Sequence, residues 1–172
     1  APCFISPIGE LADVDQTRTQ SFYETNQRVI KLAHAFDSAG LRVGDRVAIL
    51  AVDSIEHIEV ILACAKVGLT YCDLNFRLRE DEILNILSRS SVSALFYNKR
   101  YSETVGRIKS EIQSLTFSCC IDCGSADSEF ESLIKETPLA LEYAAKSYAE
   151  DILSIMFTSG TTSVPKGVLQ SE

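Results

Sequence analysis

The chain has 172 residues, 46% hydrophobic and 23% charged, ordinary proportions for a folded protein with a real core. Sixteen Lys and Arg against 24 Asp and Glu leave a net charge of −8, which argues against nucleic acid as a partner. Apolar runs are short and no signal-peptide pattern opens the chain, so no membrane span and a cytoplasmic location are expected.

Residues 1–20 show no period and are expected to form an irregular lead-in. Ser21-x-x-Glu24 reads as a capping box. Behind it Phe22, Val29, Leu32, Ala33 and Phe36 share one helical face, and Gly40 supplies the stop. Val43-Gly44-Asp45 is a turn, and residues 46–52 form an apolar run with the pattern of a strand covered on both faces. Asp53-x-x-Glu56 starts a helix through Lys66, with Ile55, Ile58, Leu62 and Ala65 inward and Gly68 at its end. His57 lies in its first turn and is expected to be exposed and without a chemical role.

Residues 69–73 read as a short strand, 74–78 as a loop and 79–90 as an amphipathic helix carrying Ile83, Leu84, Ile86 and Leu87. A strand at 92–97, a helix at 102–112, a strand at 115–121, a turn at 124–128 and a short helix at 129–136 follow. Residues 137–150 form a connector of weak structure. Strand and helix thus alternate about every 25 residues, the βαβ pattern of a mostly parallel sheet in a Rossmann-like, three-layer α/β/α fold. The expected division is one α/β unit over 1–172: lead-in 1–20, βα units 21–136, connector 137–150, then a strand and phosphate-binding loop over 151–172.

Six cysteines include the run Cys119-Cys120-Ile121-Asp122-Cys123, a C-x-x-C. No second Cys/His pair stands at zinc spacing, and the only histidines are His34 and His57. No metal site is expected from them. Reduced thiols acting as small apolar residues account for the composition, with Cys64 and Cys72 in apolar surroundings.

The chemistry of the chain concentrates after the strand Ile152-Leu153-Ser154-Ile155-Met156-Phe157. Thr158-Ser159-Gly160-Thr161-Thr162-Ser163-Val164-Pro165-Lys166-Gly167 is dense in hydroxyls, small residues that expose backbone N–H groups, and one ammonium. Such a donor set suits a polyphosphate. It is not a Walker A loop: counting from Gly160, the second glycine position holds Pro165, and Gly167 stands where Ser or Thr would hold magnesium. Ligands of parallel sheets bind beyond the carboxyl ends of the strands, and this loop follows a strand directly.

Residues 157–167 closely resemble the signature of adenylate-forming enzymes, approximately [Y/F]-T-S-G-[S/T]-T-G-x-P-K-G. The departure is Ser163, where most members have Gly. Gln170-Ser171-Glu172 also stands where many have a Ser/Thr-His pair. The likeness runs from about Ser21 to Val168. Phe22-Tyr23-Glu24 is similar to an early T-Y-x-E-L motif, Gly40 to Ala48 to G-x-x-x-G-D-x-V-A, and Ala65 to Tyr71 to A-x-x-x-G-x-x-Y. Leu74-Asn75-Phe76-Arg77-Leu78 resembles the P-L-N-x-R-L of acyl- and aryl-CoA synthetases, with Asp73 in place of the usual Pro. Peptide-synthetase adenylation domains more often read P-L-D-P-x-Y-P there.

The resemblance implies the large N-terminal domain of an ATP-dependent carboxylate–CoA ligase. In such an enzyme a carboxylate attacks the α-phosphorus of ATP·Mg²⁺, giving an acyl-adenylate and pyrophosphate, and the thiol of CoA then displaces AMP. By the same likeness Thr158, Ser159, Gly160, Thr161, Thr162, Ser163 and Lys166 would hold the ATP phosphates, with Lys166 offsetting charge as the pyrophosphate leaves. The family's later motifs find no match here, so no catalytic residue is assigned within the chain, and these residues alone are expected to be inactive. A small carboxylic acid and CoA are the implied partners. The chain stops inside an expected strand, which points to truncation and to self-association through the face so exposed. The alternatives are a non-catalytic α/β module that binds nucleotide weakly or serves assembly, a peptide-synthetase-type adenylation fragment, and another ATP-using enzyme with a convergent loop.

Overall fold

A computed structural model describes residues 2–7, 17–121, 128–138, 151–158 and 166–171. The lead-in is more regular than its sequence suggests. β1 (Pro2–Pro7) pairs antiparallel with β2 (Thr17–Ser21) in a small separate sheet. Neither strand shows alternation of apolar and polar residues, which is why the pairing is silent in the sequence.

The capping box closes α1 (Phe22–Ser38) as expected: the Glu24 N–H donates to Ser21 Oγ, and the Ser21 N–H donates to the Glu24 carboxylate at 2.8 Å. Gly40, at φ +85°, follows the C-cap Ala39. Then come β3 (Arg46–Leu50), α2 (Ile55–Val67), β4 (Thr70–Asp73), α3 (Glu80–Ser90), β5 (Ala94–Asn98), α4 (Ser102–Glu111), β6 (Phe117–Ile121) and α5 (Glu129–Glu136). β7 (Ile152–Thr158) and β8 (Lys166–Ser171) close the chain. The turn expected at 124–128 and the connector at 137–150 lie largely outside the described residues.

The main sheet has six strands in the order β6-β5-β3-β4-β7-β8. All pairs are parallel except β7–β8, which is antiparallel. β3 lies inside the sheet with helices on both faces, so its apolar run is continuous rather than alternating. Val47 and Ile49 enter one core with residues of α1, α2 and α5, while Ala48 and Leu50 enter the other with residues of α3 and α4. Cys119 and Cys120 divide between the two cores in the same way. This is the three-layer α/β/α arrangement expected.

Two helix faces differ from expectation. Phe22 opens α1 but is 66% exposed. In α2 the buried stripe is Ile55, Glu59, Val60, Ala63, Cys64 and Val67, whereas Leu62 is 40% exposed and Ile58 and Ala65 are half-buried. α2 is apolar nearly all round, so apolar spacing alone does not select its inner face. Acidic groups share the buried side because they have partners. Arg28 of α1 spans Glu59 (Nε–Oε1 2.6 Å) and Glu131 of α5 (Nη2–Oε1 2.5 Å), and Arg18 meets Glu56 at 2.7 Å.

Candidate nucleotide site at the carboxyl edge of the sheet

The crossovers fix where a ligand can approach. β3 leads into α2 on one face, and its neighbour β5 leads into α4 on the other. Their chains part at the carboxyl ends of the strands and open a crevice there. Asn98, 1% exposed, holds that edge together. Its Oδ1 accepts from the Val52 N–H at 2.7 Å, and its Nδ2 donates to the Ile121 carbonyl at 3.0 Å, joining the ends of β3, β5 and β6. The sequence pattern assigned no role to Asn98.

β7 runs parallel to β4 with Asp73 opposite Met156, so Thr158 opens on the same edge. Across the β7–β8 ladder Thr158 pairs with Lys166. The described chain therefore leaves β7 at Thr158 and resumes at an exposed Lys166, both at the carboxyl edge. Ser159, Gly160, Thr161, Thr162 and Ser163 lie outside the described residues, as does the Thr158 side chain. The strand anticipated after the loop is β8.

Next to Thr158 the edge carries groups that sequence reasoning passed over. His57 is not exposed: only 3% of it is accessible. Its Nε2 lies 3.4 Å from Asp73 Oδ1 and its Nδ1 3.8 Å from Asp53 Oδ1. Ser54, not Asp53, caps α2, accepting the His57 N–H. Burial alone would push the His57 pKa down, but Asp73 and Asp53 outweigh it and the value is raised. The available signals were Asp53 four residues before His57, and Asp73 where the signature pattern has proline.

Further along, the Tyr101 hydroxyl donates to the Phe76 carbonyl. Arg100 stacks on the rings of Phe76 (5.4 Å) and Tyr101 (4.8 Å), and Arg77 sits over Phe76 at 5.3 Å. An acidic protein thus gathers cations and aromatic faces at this edge, which suits an anionic, aromatic ligand.

Among the described residues Cys64, Cys72, Cys119 and Cys120 are buried and form no disulfide, and burial pushes Cys72 and Cys119 up to about 12. Among the described residues no His/Cys/Asp/Glu group is arranged for a metal, and no helix is long and apolar enough to cross a membrane. Two hollows among the described residues lie away from the carboxyl edge. One lies beside β6 and α5, and one lies at the amino ends of β3, β4 and β7 around Arg46, Thr70 and Ile152.

A family model described as AMP-binding enzyme matches residues 3–172. Crotonobetaine/carnitine–CoA ligase of Escherichia coli O1:K1 / APEC is 35% identical over 154 residues, covering 87% of this chain and 30% of the relative. Feruloyl-CoA synthase of Amycolatopsis sp is 32% identical over 149 residues, covering 87% and 28%. The inhibitor-bound N-terminal domain of FACL13 from Mycobacterium tuberculosis superposes with a TM-score of 0.79 at 25% identity, over 97% of this chain and 40% of that one. The chain thus spans less than a third of the length of these curated relatives.

Proposed function

Because the chain belongs to the AMP-binding enzyme family, we propose that its residues form the N-terminal part of an ATP-dependent carboxylate–CoA ligase, and that residues 158–166 hold the phosphates of ATP. The observation that supports the reading is the place of the residues that flank this stretch. Thr158 and Lys166, which bound a hydroxyl- and glycine-rich run of sequence, pair with each other at the carboxyl edge of the mostly parallel sheet. Both curated relatives named above are CoA ligases or synthases, which favours CoA over a carrier protein as acceptor.

The donor set fits ATP·Mg²⁺. Ser159, Thr161, Thr162 and Ser163 supply hydroxyls, Gly160 lets the backbone approach, and the Lys166 ammonium balances the β- and γ-phosphates. When bound, ATP supplies the adenylyl group that activates a carboxylic acid. In this chain Thr158 and Lys166, paired across β7–β8, hold the two ends of the loop at a fixed spacing. That preorganisation lowers the cost of ordering the loop around an anion. The remaining contacts of an acyl pocket, and the CoA thiol's path, belong to the rest of the ligase, placed in the cytoplasm.

The test is Lys166→Ala in the full-length ligase, read by carboxylate-dependent ATP–pyrophosphate exchange. Loss of one charge-assisted donor from the phosphates lowers kcat/KM by about a hundredfold. Unchanged exchange would show that Lys166 does not touch the phosphates. The intact mass of undigested protein, set against 18.9 kDa, decides whether these residues act within a longer polypeptide. A match would leave weak nucleotide binding and assembly as the only roles of this chain.

A further inference from the structure

His57 is almost wholly buried, yet neither ring nitrogen has an aligned hydrogen-bond partner. Its nearest polar neighbours are two carboxylates, Asp73 from the end of β4 and Asp53 from the turn before α2. We propose that His57 is a positioning residue for the nucleotide: as an imidazolium it fixes and neutralises Asp73 beside the phosphate-binding loop, so that ATP binding depends on the proton that His57 carries. This rests on the reading of residues 158–166 as the phosphate site.

Three observations support it. The first is the pairing geometry. A ring that only filled space would be replaceable by an apolar one, whereas this ring lies between two acids on opposite sides, at 3.4 and 3.8 Å. The charged neighbours facing it are few. Asp53 precedes its own helix, Asp73 comes from β4, and the segment after β3 offers only the Val52 backbone. Glu56, next to it in α2, is occupied by Arg18.

The second is location. Asp73 lies opposite Met156 in the β4–β7 ladder, and Thr158, where the loop begins, is two residues farther on. Two residues along a strand and one strand across, that is about 8 Å between the Cα atoms of Asp73 and Thr158. It falls within the distance of about 8–10 Å over which charges act through physiological salt. An unneutralised Asp73 carboxylate there repels a polyphosphate. The third is identity. Asp73 brings a negative charge to this edge, and His57 is the group that meets it.

Below the pKa of His57 the pair is neutral and ATP meets no local repulsion. Above it the ring is neutral, Asp73 is released, and the KM for ATP·Mg²⁺ rises by a factor of about three to ten. The kcat changes less, because the lost term acts on binding.

The experiment is ATP–pyrophosphate exchange by the full-length ligase from about pH 6 to about pH 9, as wild type, His57→Gln and Asp73→Asn. Wild type should show the rise in KM. His57→Gln should keep the high KM at every pH and Asp73→Asn the low one. Since His57→Gln disturbs a buried ring, the carboxylate variant gives an independent arm. A proton NMR titration of the two imidazoles, assigned with His34→Gln, gives a third. His57 should titrate above about 6.5 and move down in Asp73→Asn. Three superimposable KM profiles, or a His57 that titrates below the ordinary value, would overturn the proposal while leaving the phosphate loop standing. Absence of exchange in wild type at any pH would sink the nucleotide reading itself, and this proposal with it.

Discussion

At the scale of single residues, Arg28 carries the largest structural weight. Its guanidinium is the counter-charge for Glu59, which is fully buried, and for Glu131. Glu59 also accepts from Gln20 Nε2 at 2.6 Å. Arg28→Met strands Glu59 without its cation and should cost about 3–5 kcal/mol in urea unfolding. Adding Glu59→Leu should recover part of that loss, because an apolar pair removes the orphaned charge. The pH dependence has two signs. Burial alone would raise the Glu131 pKa, but Arg28 outweighs it and the value is lowered, so its contribution is present above about pH 4.3 and lost as pH falls through the folded value. The His57 pKa is raised, so its contribution is full below about pH 6.5 and lost as pH rises through the folded value. Urea midpoints against pH should therefore decline on the alkaline side in wild type and lose that decline in Asp73→Asn.

At the scale of elements, the strands and helices of the main sheet were legible because punctuation and pattern agree. Ser21 and Glu24 cap α1, Gly68 ends α2 at φ +73°, and the short helix at 129–136 falls where its residues say. The lead-in hairpin was not legible, since β1 and β2 lack alternation and pair with each other across a long separation. The inner face of α2 was misjudged for a related reason. Its buried side contains Glu56, His57 and Glu59, which apolar periodicity cannot place, and their partners come from β2, α1 and β4. The candidate site divides similarly. The stretch proposed to hold phosphates stands out in the sequence by its local chemistry, while His57 and Asn98 make contacts with groups 16 to 46 positions away that show only in three dimensions. The corrected face of α2 is testable: Ile55→Ala should cost about 2–5 kcal/mol, and Leu62→Gln should stay within about 0.5 kcal/mol. The reverse order would restore the face expected from the sequence.

At the scale of the whole molecule, the two edges of the sheet differ. At β6 the Glu129 carboxylate accepts the Cys120 N–H at 2.7 Å, which blunts that edge against strand addition. At the far end β8 exposes all six of its residues, and Val168 and Leu169 are 52% and 59% accessible. Met156 and Ile152 of β7 are 44% and 42% accessible. Since neighbouring residues of a strand point to opposite faces, Val168 and Leu169 leave an open apolar side chain on each face of β8. A lone edge strand with apolar groups on both faces is a template for a second chain. We therefore expect these 172 residues, taken alone, to self-associate through β8. Sedimentation across a wide concentration range should show mass rising with concentration, and Val168→Lys, which places a charge on the edge, should return the monomer. A single monomeric species throughout the range would show that the open edge does not recruit a partner. In a longer polypeptide the same edge is free to pair within its own chain, so the association should vanish there.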